Sequence, residues 1–153
     1  MCGMAGGGKT TRARQIEAAT GAVRLSPDEW IARLMADTDD RAEADRLRDT
    51  VEALQWETAQ RLLAAGADVI LENGFWGADE RSRCRDTARA LGAAVCLHFL
   101  DPPEEELWRR LQERNARLAV GAYRVNRAEL REWIGWFQKP DAAELATYDD
   151  CGY

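Results

Sequence analysis

The sequence has a single histidine, His98, and four cysteines, Cys2, Cys84, Cys96 and Cys151, that never reach a C-x-x-C spacing. Structural zinc needs Cys and His ligands in closely spaced pairs, so a zinc site is excluded. The same scatter offers no disulfide framework, and four free thiols are expected, with Cys96 buried in a strand. No apolar run reaches the roughly 18 residues that a membrane span demands. Glycines and Lys9 interrupt the N-terminal stretch, which rules out a signal peptide and leaves the cytoplasm as the expected compartment. Linkers, internal repeats and low-complexity tracts are missing as well, so the 153 residues are expected to form one domain around one core. A basic surplus is also lacking. The formal net charge of −6 argues against passive adhesion to nucleic acid.

That charge is unevenly spread. Between Arg109 and Arg131 seven arginines face only Glu113 and Glu129, a local surplus of five positive charges in an otherwise acidic chain. A basic segment in such a protein suggests a local anionic ligand.

Short apolar runs alternate with amphipathic stretches, the pattern of an α/β domain with a parallel sheet. A helix is expected over Lys9 to Thr20, stopped by Gly21, and a short apolar strand over Ala22 to Leu25. Ser26-Pro27-Asp28-Glu29 reads as a helix start, with Ser26 and Glu29 as a capping box and a helix running to about Ala36. After a polar break at Asp37 to Asp40, a long helix spans Arg41 to Ala65 with Leu47, Val51, Leu54, Thr58 and Leu62 on one face. Ala67 to Leu71 and Ala94 to Leu100 are expected as buried strands, with a helix from Asp79 to Leu91 between them. Asp101 is expected to cap a helix that opens at Pro102-Pro103-Glu104 and runs to about Arg117. A loop from Leu118 to Val125 and a capped helix from Asn126 to Phe137 follow, and beyond Pro140 the polar tail is expected to fray. The organisation is thus a core with the helix leading to a lid (1–117), a lid and C-terminal helix (118–140), and a tail (141–153).

The densest chemistry lies at the start. Gly3-Met4-Ala5-Gly6-Gly7-Gly8-Lys9-Thr10 satisfies G-x-x-x-x-G-K-[ST] at every fixed position, and Thr11 follows. Such a loop converges successive backbone N–H groups on phosphate oxygens, which requires backbone shapes that glycine permits. The helix beginning at Lys9 adds the positive end of its dipole. Gly3, Gly6, Gly7, Gly8, Lys9, Thr10 and Thr11 are therefore the expected binding residues for the phosphates of ATP or GTP. Lys9 would reach the outer phosphates and the Thr10 hydroxyl would ligate Mg²⁺. A buried strand of about four to eight residues normally precedes such a loop. Here only Met1 and Cys2 do, so the first strand is expected as a stub, and a start upstream of Met1 is the favoured explanation.

Three further features suggest phosphoryl transfer. Asp28 follows the second strand, at the sheet end where ligands bind, and could take a proton from an attacking hydroxyl. Glu72 directly follows the apolar strand Val69-Ile70-Leu71, where a carboxylate can support Mg²⁺. Arg110, Arg114 and Arg117 share a helical face through spacings of four and three, and could neutralise charge on the transferred group. On the acceptor side, Trp30, Arg33, Asn73, Phe75 and Trp76 are candidate contacts for a flat or apolar small molecule. Core packing is the simpler account of Trp56 and Trp108, and a satisfied core histidine that of His98.

The blocks GMAGGGKTT, LSPDEW, DVILENGFW and HFLDPPEEELWRRLQERN, in this order and spacing, resemble the P-loop kinases of the polynucleotide 5′-kinase, chloramphenicol phosphotransferase and zeta-toxin group. The resemblance covers residues 1 to 117. It implies a three-layer α/β/α P-loop NTPase fold, kinase-like, with a small parallel sheet and the glycine-loop strand in its middle. It also implies Asp28 as general base and Arg110 and Arg114 as lid arginines. The chain departs from the polynucleotide-kinase pattern at Ile31, where an arginine would hold an acceptor phosphate; Arg33 is the nearest substitute. The expected function is therefore an ATP- and Mg²⁺-dependent phosphotransferase acting on a hydroxyl of a small molecule, with no membrane partner. A 5′-hydroxyl polynucleotide kinase and a non-catalytic ATP-binding domain stand as alternatives.

Overall fold

The structure, a computed structural model, describes residues 1–35, 41–117 and 124–152. The expected polar break at Asp37 to Asp40 and most of the expected lid loop lie outside the described residues. The elements are β1 (Cys2–Gly3), α1 (Lys9–Thr20), β2 (Val23–Leu25), α2 (Pro27–Leu34), α3 (Arg41–Ala64) and β3 (Val69–Leu71). They continue as α4 (Ala78–Ala90), β4 (Phe99–Leu100), α5 (Glu104–Arg117), α6 (Arg127–Trp136) and α7 (Ala142–Leu145).

Among the described residues all strand pairing is parallel. β2 pairs with β3 through Val23 to Val69 and Leu25 to Leu71, and β1 pairs with β4 through Cys2 to Phe99 and Gly3 to Leu100. A single bridge from Cys2 to Gly74 connects the two pairs, so β1 sits between the end of β3 and β4. This is a mixed α/β fold with a small parallel sheet and the loop-bearing strand in its middle. No helix among the described residues is long and apolar enough to cross a membrane.

Two apolar clusters hold the elements. Met1, Ala13, Ile16, Ala22 and Ile70 pack α1 against the strands. Met4, Leu107, Leu111, Val125 and Leu130 join the glycine loop to α5 and α6, with Trp76, Trp108, Trp133 and Phe137 against them. The second cluster fixes the loop itself, because Met4 lies within it.

Several local expectations need correction. Ser26 stands at the N-cap of α2 but makes no side-chain cap bond, and the Glu29 carboxylate that would complete the box is held instead by Arg24, with both oxygens at 2.9 Å. The buried face of α3 is Val51, Gln55 and Ala59, whereas Leu54 stays 49% exposed. The strand expected over Ala94 to Leu100 shrinks to β4, Phe99–Leu100, since its partner β1 has only two residues to offer. Asp101 is not a cap but an ion-pair partner of Lys139. The Asn126 capping box, by contrast, is complete: its side chain accepts from the Glu129 N–H at 3.0 Å and Glu129 accepts from the Asn126 N–H at 2.8 Å.

The tail does not fray through residue 152. Glu144 receives two N–H bonds from the buried Arg81, at 2.6 and 2.7 Å. The Asp149 carboxylate accepts from the Val95 N–H, and the Asp149 N–H donates back to the Val95 carbonyl. This return brings Cys151 beside Cys96, where the two form a disulfide with Cα atoms 6.1 Å apart. The expectation of four free thiols is thereby overturned: two remain free, Cys2 and Cys84, and Cys96 is half-buried outside any strand.

Candidate nucleotide-binding site

The glycine loop leaves β1 and turns into α1 within five residues. Gly3 lies against β4 so closely that a Cβ there would sit 2.3 Å from the Leu100 carbonyl oxygen, so a larger residue is barred by contact with backbone. Gly8, at φ 95°, adopts the left-handed shape that swings the chain into the helix. No side chain caps α1, and its first turn carries no acidic residue. The positive helix end is thereby left uncompensated by the chain itself, which suits an anion.

The Lys9 ammonium donates to the Gly3 and Met4 carbonyls at 2.9 and 3.0 Å. An ammonium has three donors, so one remains for a phosphate oxygen. Burial pushes the Lys9 pKa down, while the negative charges of Asp28 and Glu72 oppose that shift. Both carboxylates therefore act on the same ammonium, which draws the ends of β2 and β3 into the site.

Glu72 is buried, with its side chain 3% exposed, and both oxygens are engaged. Oε2 accepts from the Thr10 hydroxyl at 2.8 Å, and Oε1 accepts from Arg24 at 2.6 Å. Arg24 also binds Glu17 and Glu29, so one guanidinium ties α1, α2 and β3 together beneath the loop. A hydroxyl and a carboxylate in contact are hard oxygen donors, the type that Mg²⁺ takes beside phosphate oxygens and water. Among the described residues there is no cluster of three metal-ligating His, Cys, Asp or Glu side chains.

Asp28 stands in the first turn of α2 with its side chain 80% exposed, and Arg48 of α3 donates to its Oδ1 at 2.8 Å. Arg48 also lies 3.5 Å from Glu52. Burial, opposed by Arg48 and assisted by Glu80, raises the Glu52 carboxyl to about 7.

From the other side, Arg110 extends from α5 to the loop, with Nη1 3.4 Å from the Gly6 and Gly7 carbonyls and its Nε bonded to Glu106 at 2.7 Å. Glu106 also binds Arg109 and is pushed down to about 2 by these bonds. Arg114 and Arg117 are exposed on later turns of α5. Thr11 is exposed on the first turn of α1. Trp30 and Arg33 are exposed on α2, one turn apart.

The remaining acceptor candidates lie on the loop after β3. Asn73 is half-buried, and its Oδ1 has no hydrogen-bond partner. Phe75 is buried at φ 50°, and its carbonyl accepts from Arg81 at 2.9 Å. Trp76 packs on Trp133 with ring centroids 6.0 Å apart. Phe75 and Trp76 are thus both engaged in packing.

Sequence reasoning passed over Arg24 and Arg48. Arg24 interrupts an otherwise apolar strand, and a charge in that position was itself a sign that the strand end carries a partner. Arg48 carried no such sign, since it lies among the alternating charges of a long helix.

The AAA domain family matches residues 1–140. The chain belongs to that family. It is a P-loop, kinase-like nucleotide-binding domain. No curated protein matches the chain.

Proposed function

We propose that this AAA-family domain transfers the γ-phosphate of ATP, or of GTP, to a hydroxyl group of a small molecule. The single observation that supports this reading is the placement of Asp28, a solvent-open carboxylate just after β2, held by Arg48 at 2.8 Å.

The loop amides of Gly6 to Lys9 and the free donor of Lys9 hold the phosphates in place. Thr10 and Glu72 fit a Mg²⁺ ion, which when bound neutralises phosphate charge as the leaving oxygen separates. Asp28 accepts the proton of the acceptor hydroxyl as its oxygen forms a bond to the γ-phosphorus. The bond between that phosphorus and the bridging oxygen breaks, and the nucleoside diphosphate departs with the electron pair. Arg110 reaches the loop from α5 and supplies positive charge opposite Lys9. Arg114 and Arg117 extend the same helical face toward the residues that follow. Trp30 and Arg33 on α2, with Asn73 on the facing loop, are proposed to border the acceptor.

The test is transfer of labelled γ-phosphate to a panel of small hydroxyl compounds and to a 5′-hydroxyl oligonucleotide. Small acceptors are expected to be labelled in preference to the oligonucleotide. Asp28→Asn should reduce transfer by roughly 10²-fold or more while nucleotide affinity is retained. Equal transfer by Asp28→Asn and the parent would remove the base assignment.

A further inference from the structure

Residues 141–151 run as a strap along one face of α4. Arg81, Arg85 and Arg89 stand four residues apart and so form a single row on that helix. Arg81 holds Glu144, and Arg85 donates to the Thr147 hydroxyl at 2.6 Å. Arg89 donates to the Thr147 carbonyl at 2.9 Å and to Asp149 at 3.0 Å. The Arg85 guanidinium also lies 5.5 Å from the centre of the Tyr148 ring. Past the row, Asp149 exchanges two hydrogen bonds with Val95, and the Cys96–Cys151 disulfide closes the strap.

These fastenings are unequal. Arg81 is buried with its partner, whereas the Arg89 and Asp149 side chains are 39% and 41% exposed. An ion pair that open to water holds little by itself. The far end of the strap therefore relies on the covalent bond, which ties positions 55 apart in sequence and removes most of the freedom of the open chain. Both cysteines are half-buried, and neither Cys151 nor residues 93–98 around Cys96 belong to a helix or strand. Exchange with an outside thiolate then requires no element to unfold.

The near end of the strap reaches the phosphate site. Besides Glu144, Arg81 binds the Phe75 and Trp76 carbonyls at 2.9 and 3.3 Å. The neighbouring Gly74 carbonyl accepts from the N–H of Gly3, where the glycine loop begins, at 3.0 Å. Bonded groups thus run without a break from the disulfide through the strap and the loop after β3 to the phosphate loop.

We propose that the Cys96–Cys151 disulfide is a redox latch: a dithiol opens it, the strap loosens from α4, and the phosphate loop loses affinity for nucleotide. A thiolate of the dithiol attacks one sulfur, forms a mixed disulfide with that cysteine and expels the other as a thiolate. The second thiolate of the dithiol then displaces the remaining cysteine by closing a cyclic disulfide. The dithiol gives up two electrons to the two cysteine sulfurs, and its two protons finish on the Cys96 and Cys151 thiols. Reoxidation by the cyclic disulfide runs the same steps in reverse. The latch acts on nucleotide binding and holds whatever the acceptor is.

The experiment equilibrates the full chain with mixtures of reduced and oxidised dithiothreitol. Alkylation and mass spectrometry count the opened pair, amide exchange reads the strap, and calorimetry reads magnesium nucleotide. Opening should speed exchange at residues 144–149 and 74–76 by at least about tenfold and raise the nucleotide Kd about fivefold or more, both reversed on reoxidation. The double variant Cys96→Ser, Cys151→Ser should match the opened parent and ignore the dithiol, whereas Cys84→Ser should respond as the parent does. A pair that stays closed at roughly a hundredfold excess of reduced over oxidised dithiol would overturn the proposal. So would a pair that opens while exchange at 74–76 and nucleotide affinity stay unchanged, since the bond is then only a structural crosslink. A chain that binds no nucleotide in either state removes the phosphate-loop assignment instead, and exchange at 74–76 still decides the latch.

Discussion

Arg48 donates to Asp28 Oδ1 at 2.8 Å, joining the third turn of α3 to the first turn of α2 across twenty residues of sequence. An exposed aspartate free to rotate samples many orientations, and a general base must hold one. Under the proposed base role, the guanidinium would restrict the carboxylate through Oδ1 and leave its second oxygen for the acceptor.

Removal of that restraint should affect chemistry more than nucleotide binding. Arg48→Gln is expected to lower kcat for phosphoryl transfer by roughly 10- to 100-fold with the nucleotide Kd unchanged. Steady-state kinetics alongside a binding titration separates the two. A variant that loses nucleotide affinity in proportion to kcat would place Arg48 in the phosphate site instead.

The tail is a structural member of the domain. Arg81 has a side chain 1% exposed and donates from Nε and Nη2 to the two carboxylate oxygens of Glu144. Glu144→Ala leaves a buried guanidinium with only the Phe75 and Trp76 carbonyls. Breaking one side of such a pair costs about 3–5 kcal/mol, and urea unfolding should register that loss. A change below about 0.5 kcal/mol would show that water replaces Glu144.

Glu52 supplies a pH dependence. Its carboxyl is raised from 4.5 to about 7 in the folded chain, chiefly by burial. Between these values the folded state keeps a proton that the unfolded state has released, so stability falls as pH rises. The contribution is intact below pH 4.5 and the loss is complete above about 7. Glu52→Gln cannot ionise and should therefore gain on the parent by on the order of 2–3 kcal/mol at pH 8, with little difference at pH 4. Denaturation at the two pH values measures it, and a constant difference would contradict the assignment.

The phosphate loop and its helix were legible because their chemistry is local. The spacing of Gly3, Gly8, Lys9 and Thr10 dictates a turn and a helix start whatever surrounds them, and α1 begins at Lys9 as expected. The helices from Arg41 and from Asn126 were legible for the same reason, through periodicity and caps. Strand lengths were not, because a parallel strand exists only where a neighbour pairs with it: the apolar run before Phe99 meets two residues of β1 and no more. The Ser26 capping box does not form, and Arg24, which holds Glu29 instead, comes from a different element. The disulfide and the Arg81–Glu144 pair connect residues more than fifty positions apart, and no local pattern announces them. The order of Asp28 and Glu72 after their strands was readable, whereas Arg24 and Arg48, which hold those carboxylates in place, came only with the three-dimensional arrangement.

The most direct test is calorimetric titration of the intact chain with magnesium nucleotide, repeated with Lys9→Ala. Saturable binding at one site in the micromolar range, abolished in the variant, is the predicted result. Absence of any binding heat from folded parent protein at millimolar nucleotide, or equal affinity in Lys9→Ala, would contradict the assignment of the Gly3–Thr10 loop as the phosphate cradle.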